Sequence, residues 1–173
     1  LLLAAIDDPN PVLFFEHKLL YKTKGPVPAE AYREPIGKAV VRRRGRDITI
    51  VGSSIMALRA AAAAEKLATE DIDAEVIDLR SLRPIDFDTI AQSVRKTGRL
   101  LVVHEGVKTM GIGAEIAAMI AESDVFHALV APIARLGGAD SPIPYNPVLE
   151  KACVPQEDDI VSTARRLVRE GKR

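Results

Sequence analysis

The chain has no tryptophan, and phenylalanine and tyrosine bring its aromatic content to only 4%. A groove that strips bases from a nucleic-acid strand stacks them on aromatics interleaved with basic residues, so that class of function is excluded. Net charge is also missing. Lysine plus arginine and aspartate plus glutamate number 24 each, so no overall field draws the chain to nucleic acid or anionic lipid. The single cysteine, Cys153, can close no internal disulfide and build no zinc site; a reducing, cytoplasmic setting is the expectation. The three histidines, His17, His104 and His127, share no His-x-x-x-His or Glu-x-x-His spacing, so no metal centre is expected. No run approaches the roughly 20 apolar residues that span a bilayer. Residues 1–6 are too few for that. With no basic stretch before them and no small-residue cleavage pattern after them, they are no signal peptide either.

What remains is an ordinary globular composition, 47% hydrophobic and 28% charged over 173 residues, enough for one domain with a short attachment. The opening Leu-Leu-Leu-Ala-Ala-Ile before Asp-Asp-Pro-Asn reads as the last turns of a helix that starts upstream. The chain is therefore expected to be part of a longer polypeptide. Residues 11–15 form an apolar run bounded by proline and charge, the pattern of a buried strand. Residues 22–35 are rich in glycine and proline and read as a linker, with an independent domain from residue 36 onward.

Beyond residue 36 short β-branched runs alternate with amphipathic stretches. Residues 38–42 and 47–51 predict a hairpin around Arg43-Arg44-Gly45-Arg46, with Gly45 available for positive φ. Ser53 or Ser54 is expected to cap a helix reaching about residue 69. A strand over 74–79 follows. A helix opened by Pro84 and Asp86 is stopped at Gly98. Residues 100–103 are a continuous apolar strand, residues 112–120 a helix with Ile112, Ile116, Met119 and Ile120 on one side, and residues 132–136 a weaker strand. The last helix begins after Pro155, with Glu157, Asp158 and Asp159 in its first turn. Strands and helices alternating at this spacing predict an α/β fold, a mainly parallel central sheet with helices on both faces.

Three groups could carry chemistry. Gly111-Ile112-Gly113 opens a helix after a strand, as a dinucleotide loop would. However, Ile116 stands where a Gly or Ala is needed, so a tight structural turn is the expected reading. Gly52, Ser53 and Ser54 end a strand where helix amides attract anions, and His104 ends the strand that begins at Leu100; together they are a possible crevice site for a small ligand. Simple capping and a hydrogen-bonded corner account for the same residues, because no Lys or Arg adjoins the serines and no nucleophile pairs with His104. The basic tail, Arg165, Arg166, Arg169 and Lys172, could dock a partner or merely complement the helix dipole. The cluster Arg42, Arg43, Arg44, Arg46 reads as a solvated turn.

The ordered set of motifs resembles one family. Pro11-Val-Leu-Phe-Phe-Glu16-His17-Lys18-Leu-Leu-Tyr21 with Gly25-Pro-Val-Pro28 is similar to the end of the pyrimidine-binding domain and the linker of 2-oxo acid dehydrogenase decarboxylase beta subunits. Glu75-Val-Ile-Asp78-Leu-Arg80-Ser-Leu-Arg83-Pro-Ile-Asp86 resembles the signature of the transketolase carboxy-terminal domain in those subunits. Val102-Val-His104-Glu105, Gly111-Ile-Gly113-Ala-Glu115-Ile116 and Asp140-Ser-Pro-Ile-Pro-Tyr145 continue it in order. Met110 stands where glycine is usual in the family. The resemblance implies residues 1–21 as a remnant of the pyrimidine-binding domain, 22–35 as linker and 36–173 as the carboxy-terminal domain. It also implies a parent enzyme acting on pyruvate, a branched-chain 2-oxo acid or acetoin with thiamine diphosphate and magnesium. Its implied partners are an alpha subunit, a second beta subunit in a dimer and a lipoyl acyltransferase. In that family the catalytic groups lie on the amino-terminal domain, so the resemblance places no catalytic, cofactor-binding or metal-binding residue here and implies a fragment inactive alone. A stand-alone ligand-binding domain and a transketolase-type enzyme are the alternatives.

Overall fold

Ile-Thr-Ile-Val-Gly over Ile48–Gly52 and Ala-Glu-Val-Ile-Asp over Ala74–Asp78 are buried at every position, which requires a sheet covered on both faces. The computed structural model describes residues 1–170. Its strands are β1 (Val40–Arg43), β2 (Ile48–Gly52), β3 (Ala74–Asp78), β4 (Leu100–Val107) and β5 (Ala134–Gly138). Its helices are α1 (Leu2–Asp7), α2 (Ile55–Ala68), α3 (Phe87–Thr97), α4 (Ile112–Ala121), α5 (Pro147–Cys153) and α6 (Glu157–Glu170). One sheet runs in the order β1-β3-β2-β4-β5, with β1 antiparallel and the rest parallel. The expected α/β architecture is what the chain adopts.

Alternation along the strands divides the core. Ile48, Ile50, Val76, Leu101 and Val103 face Met56, Ala60, Ala64 and Leu67 of α2 and Ile160, Ala164 and Leu167 of α6. Val51, Ile77, Leu100 and Val102 face Ile90 and Val94 of α3 and Ile116 and Ile120 of α4. Each large side chain fully buried there contributes about 1.5–3 kcal/mol. α3 is bounded as its sequence implies: the Asp86 carboxylate accepts from the Thr89 amide, and Gly98 ends the helix at φ 67. On its inner side the buried Thr49 hydroxyl meets those of Ser93 at 2.6 Å and Thr97 at 2.7 Å.

Four expectations are corrected. Residues 38–51 are no hairpin: both edges of β2 are taken by β3 and β4, so β1 pairs with the free edge of β3, Val40 opposite Asp78. Gly45 is needed for close approach rather than positive φ, since a Cβ there would lie 2.3 Å from the Ala74 carbonyl carbon. The arginines around it are partly structural, with Arg42 paired to Asp78 at 2.7 Å and Arg43 to Asp73 at 2.8 Å. Residues 11–15 form no strand; Leu13 and Phe15 are more than four-fifths exposed, because no sheet stands beside them here. Among the described residues no helix is long and apolar enough to cross a membrane.

Candidate functional site

Gly52 of β2 lies opposite Val103 of β4, so the next residues, Ser53 and His104, emerge side by side. The connection from β2 leaves through α2 on one face and that from β4 through α4 on the other. In open parallel sheets ligands gather at such a switch point, outside the carboxyl ends of the strands. The structure thus brings the four crevice residues to one edge.

Their chemistry is less open than their placement. A Cβ on Gly52 would come within 3.0 Å of the Met56 backbone, so the missing side chain lets α2 start hard against the strand. Ser53 and Ser54 do not cap α2 through their hydroxyls. Ser54 sits at φ 54, ψ −131 and makes no side-chain bond to the helix, because that left-handed backbone leaves the extended geometry a capping oxygen needs. Only their carbonyls serve, accepting from the Met56 and Ala57 amides at 3.0 and 3.2 Å.

His104 is 5% exposed. Its ring lies among three glycines: a Cβ on Gly111, Gly113 or Gly137 would meet ring atoms at 2.4, 3.0 and 2.8 Å. The Nδ1–H donates to the Gly106 carbonyl at 3.0 Å, which leaves Nε2 as a bare acceptor. That nitrogen is buried and has no partner among the described residues. Burial first, then the Arg135 guanidinium, push the imidazole below its ordinary value, against the opposing pull of the Gly106 carbonyl. The ring is shut off from solvent, so it offers a substrate no reachable acid or base. Gly111-Ile112-Gly113 is accordingly a packing motif, as its failure at Ile116 implied, and its glycines make room for an imidazole rather than a phosphate.

The neighbouring Glu105 carboxylate pairs instead with His17 of the N-terminal segment at 3.0 Å. A buried carboxylate that the sequence reading passed over, Glu75, sits in β3, 3% exposed, and accepts from the Gly45 amide and Lys96. Burial pushes it up, but the bonds from Lys96, Ser93 and Gly45 outweigh that and hold it below its ordinary value. Its charge between the apolar Ala74 and Val76 was the available signal.

The basic tail is weaker as a docking patch than its composition suggests. Arg165 is bidentate to Glu70 at 2.6 and 2.7 Å, and Arg166 bonds Glu170 one turn on at 3.1 Å. Arg169 lines a groove of about 250 Å³ with Asp47, Glu70, Asp71 and Arg165. Lys172 lies outside the described residues. A second, more apolar groove of about 590 Å³ runs along Phe126, Val130 and Pro132, away from the switch point.

A mainly parallel sheet with a switch point is shared by many proteins, and the sequence narrows the choice. The profile described as Transketolase, C-terminal domain matches residues 37–160, and the chain belongs to that family. Among proteins of known identity, it is 51% identical over 170 residues to the "Pyruvate dehydrogenase E1 component subunit beta-1, mitochondrial" of Arabidopsis thaliana, which covers 96% of this chain and 47% of that protein. It is 43% identical over 172 residues to the "Acetoin:2,6-dichlorophenolindophenol oxidoreductase subunit beta" of Cupriavidus necator, covering 99% of this chain and 51% of that one. A solved structure titled "Split gene transketolase, inactive beta4 tetramer" superposes with a TM-score of 0.71 at 29% identity, covering 81% of this chain and 45% of that one. The chain spans about half the length of the curated relatives it matches.

Proposed function

We propose that the chain is the carboxy-terminal half of the beta subunit of a thiamine diphosphate-dependent 2-oxo acid or acetoin dehydrogenase, a part that assembles the enzyme rather than performing its chemistry. One observation carries this reading: the 51% identity to a pyruvate dehydrogenase beta subunit extends over 96% of the chain. It therefore takes in most of the N-terminal segment that lies before the family profile at residue 37. On this reading residues 1–21 complete a preceding domain, residues 22–35 link it to the rest, and the exposed Leu13 and Phe15 are covered by that domain.

The residues present do not suit the thiamine cofactor. Among the described residues no group of three or more His, Cys, Asp or Glu is placed to hold a metal ion. No Lys or Arg adjoins Ser53 and Ser54 in the sequence to complete a diphosphate site, and His104 is 5% exposed. Thiamine diphosphate and magnesium would therefore sit in the portion of the enzyme beyond this chain, between the alpha subunit and the rest of the beta subunit. What this half contributes is surface for a second beta subunit and for the lipoyl acyltransferase, with Arg165, Arg166, Arg169 and Lys172 as the candidate contacts for the latter. A transketolase-type parent is the second reading, favoured by the 0.71 TM-score, and it is outweighed by the higher identity to dehydrogenase subunits.

The test is reconstitution of the complete beta polypeptide with its alpha partner. Thiamine-dependent decarboxylation of pyruvate, a branched-chain 2-oxo acid or acetoin is expected. Loss of all three activities in a folded assembly overturns the reading, and so does turnover by the 173-residue chain alone.

A further inference from the structure

From residue 18 to residue 33 the chain is exposed throughout except at Leu20, so this stretch has almost no packing to hold it. At each end, however, it is tied to the carboxyl edge of the sheet. Upstream, the His17 imidazole meets Glu105 of β4 at 3.0 Å. Downstream, residues 34–39 meet the turn after β3 through a series of polar contacts from Glu34, Gly37, Lys38 and Ala39. The Glu34 carboxylate accepts from Arg80 Nη1 at 2.7 Å. The Lys38 carbonyl accepts from Nε and Nη2 of the same side chain at 3.2 and 3.0 Å. The Gly37 amide donates to Ser81 Oγ at 2.9 Å, and the Ala39 amide donates to Asp86 Oδ2 at 3.0 Å. Gly37 itself, at φ 78, lies so close to Pro84 that a Cβ would fall 2.7 Å from its ring.

Arg80 is built for this contact. Its backbone is left-handed, at φ 55, and its side chain is only 13% exposed, although nothing in the hydrophobic core calls for an arginine there. A guanidinium offers three N–H directions in one rigid plane, so it grips a carboxylate and a backbone carbonyl four residues apart in one fixed geometry; a freely rotating ammonium fixes no such plane. The same guanidinium holds Glu34 below its ordinary carboxylate value through the hydrogen bond and its charge.

We infer that the turn after β3 is a socket for the incoming chain, and that Arg80 is a positioning residue setting the angle at which everything before residue 34 meets the domain. Residues 34–39 are then a rigid strut rather than a tether. The two anchors, on β4 and after β3, straddle β2, because β2 lies between those strands. The segment is thereby held at the end of the sheet where the switch point opens. This inference goes beyond the assignment as a dehydrogenase subunit and stands whichever enzyme the chain serves.

The test uses the 173-residue chain with Cys153→Ser and spin labels at Glu30→Cys and Glu122→Cys, both exposed positions. A single narrow distance distribution is expected in the parent. Arg80→Ala should broaden it and raise amide exchange at Gly37 and Ala39 by about tenfold or more while β2 and β4 keep their protection. Arg80→Lys, which keeps the charge but loses the fork, should broaden it as well. If Arg80→Ala does not fold, Glu34→Gln takes its place and should broaden the distribution by removing only the ion pair. A parent distribution already broad, or broadening in none of the folded variants, overturns the inference.

Discussion

If Gly111, Gly113 and Gly137 are glycine because of the His104 ring, then Gly113 and His104 must be energetically coupled. Gly113 is the cleanest probe. Outside its own helix, the three atoms nearest a Cβ there belong to side chains, His104 Nε2 at 3.0 Å, His104 Cδ2 at 3.1 Å and Arg135 Cδ at 3.4 Å. Alanine in the first turn of α4 gains up to about 1 kcal/mol of helix propensity. It must also push aside a ring that cannot retreat, because the Gly111 and Gly137 positions close on its Cε1. Such overpacking costs about 1–3 kcal/mol, so Gly113→Ala should be destabilising by about 0–2 kcal/mol. His104→Ala empties the cage and should cost about 1–3 kcal/mol, moderated because the orphaned Nε2 leaves with the ring. With the ring gone, Gly113→Ala should stabilise by about 0.5–1 kcal/mol. The cycle therefore predicts a coupling of about 1–3 kcal/mol, read from urea midpoints at constant m. Additivity of the two changes to within about 0.5 kcal/mol would refute the cage as the reason for the glycines.

Met110, 95% exposed at φ 56, carries the cost of a left-handed backbone with no contact to offset it; Met110→Gly should raise stability by about 0.5–1 kcal/mol in the same urea assay. Glu75 and Asp86 both titrate below their ordinary values in the folded chain, so the unfolded chain binds protons first as pH falls. Their contribution is present above about pH 4.5 and is lost below it. Glu75→Gln should flatten the urea midpoint against pH between about 5 and 3, and an unchanged acid slope would show that this carboxylate is not the source. Arg165→Ala removes a bidentate but solvent-exposed pair with Glu70 and should leave the thermal midpoint almost unchanged. A larger shift would mean that the tail helix is held by more than its apolar stripe.

The parallel sheet, its helices and most of their ends were legible because local chemistry and global packing agree there. α3 is the clearest case, with Asp86 and Gly98 marking its limits and Ile90 and Val94 its buried side. Pairing partners were not legible. Residues 38–51 carry every local mark of a hairpin, yet which strand takes the edge of β2 is decided by β4, some fifty residues on. The strand expected over residues 11–15 shows the same dependence, since an apolar run becomes a strand only beside a sheet that can receive it. Of the candidate site, only the position of Gly52, Ser53, Ser54 and His104 at the ends of strands followed from the local sequence pattern. The closure of His104 did not, because it arises from three glycines separated by up to twenty-six positions.

β1 runs against its neighbours, so the polypeptide reaches the sheet at the end where the parallel strands finish. The final helix closes at the other extreme, where Arg99 ties the Leu167 carbonyl to that of Asp47. Arrival and departure are thus separated by the height of a strand, on the order of 20 Å. The segment ahead of residue 36 and the last turn of α6 thus face opposite ends of the sheet.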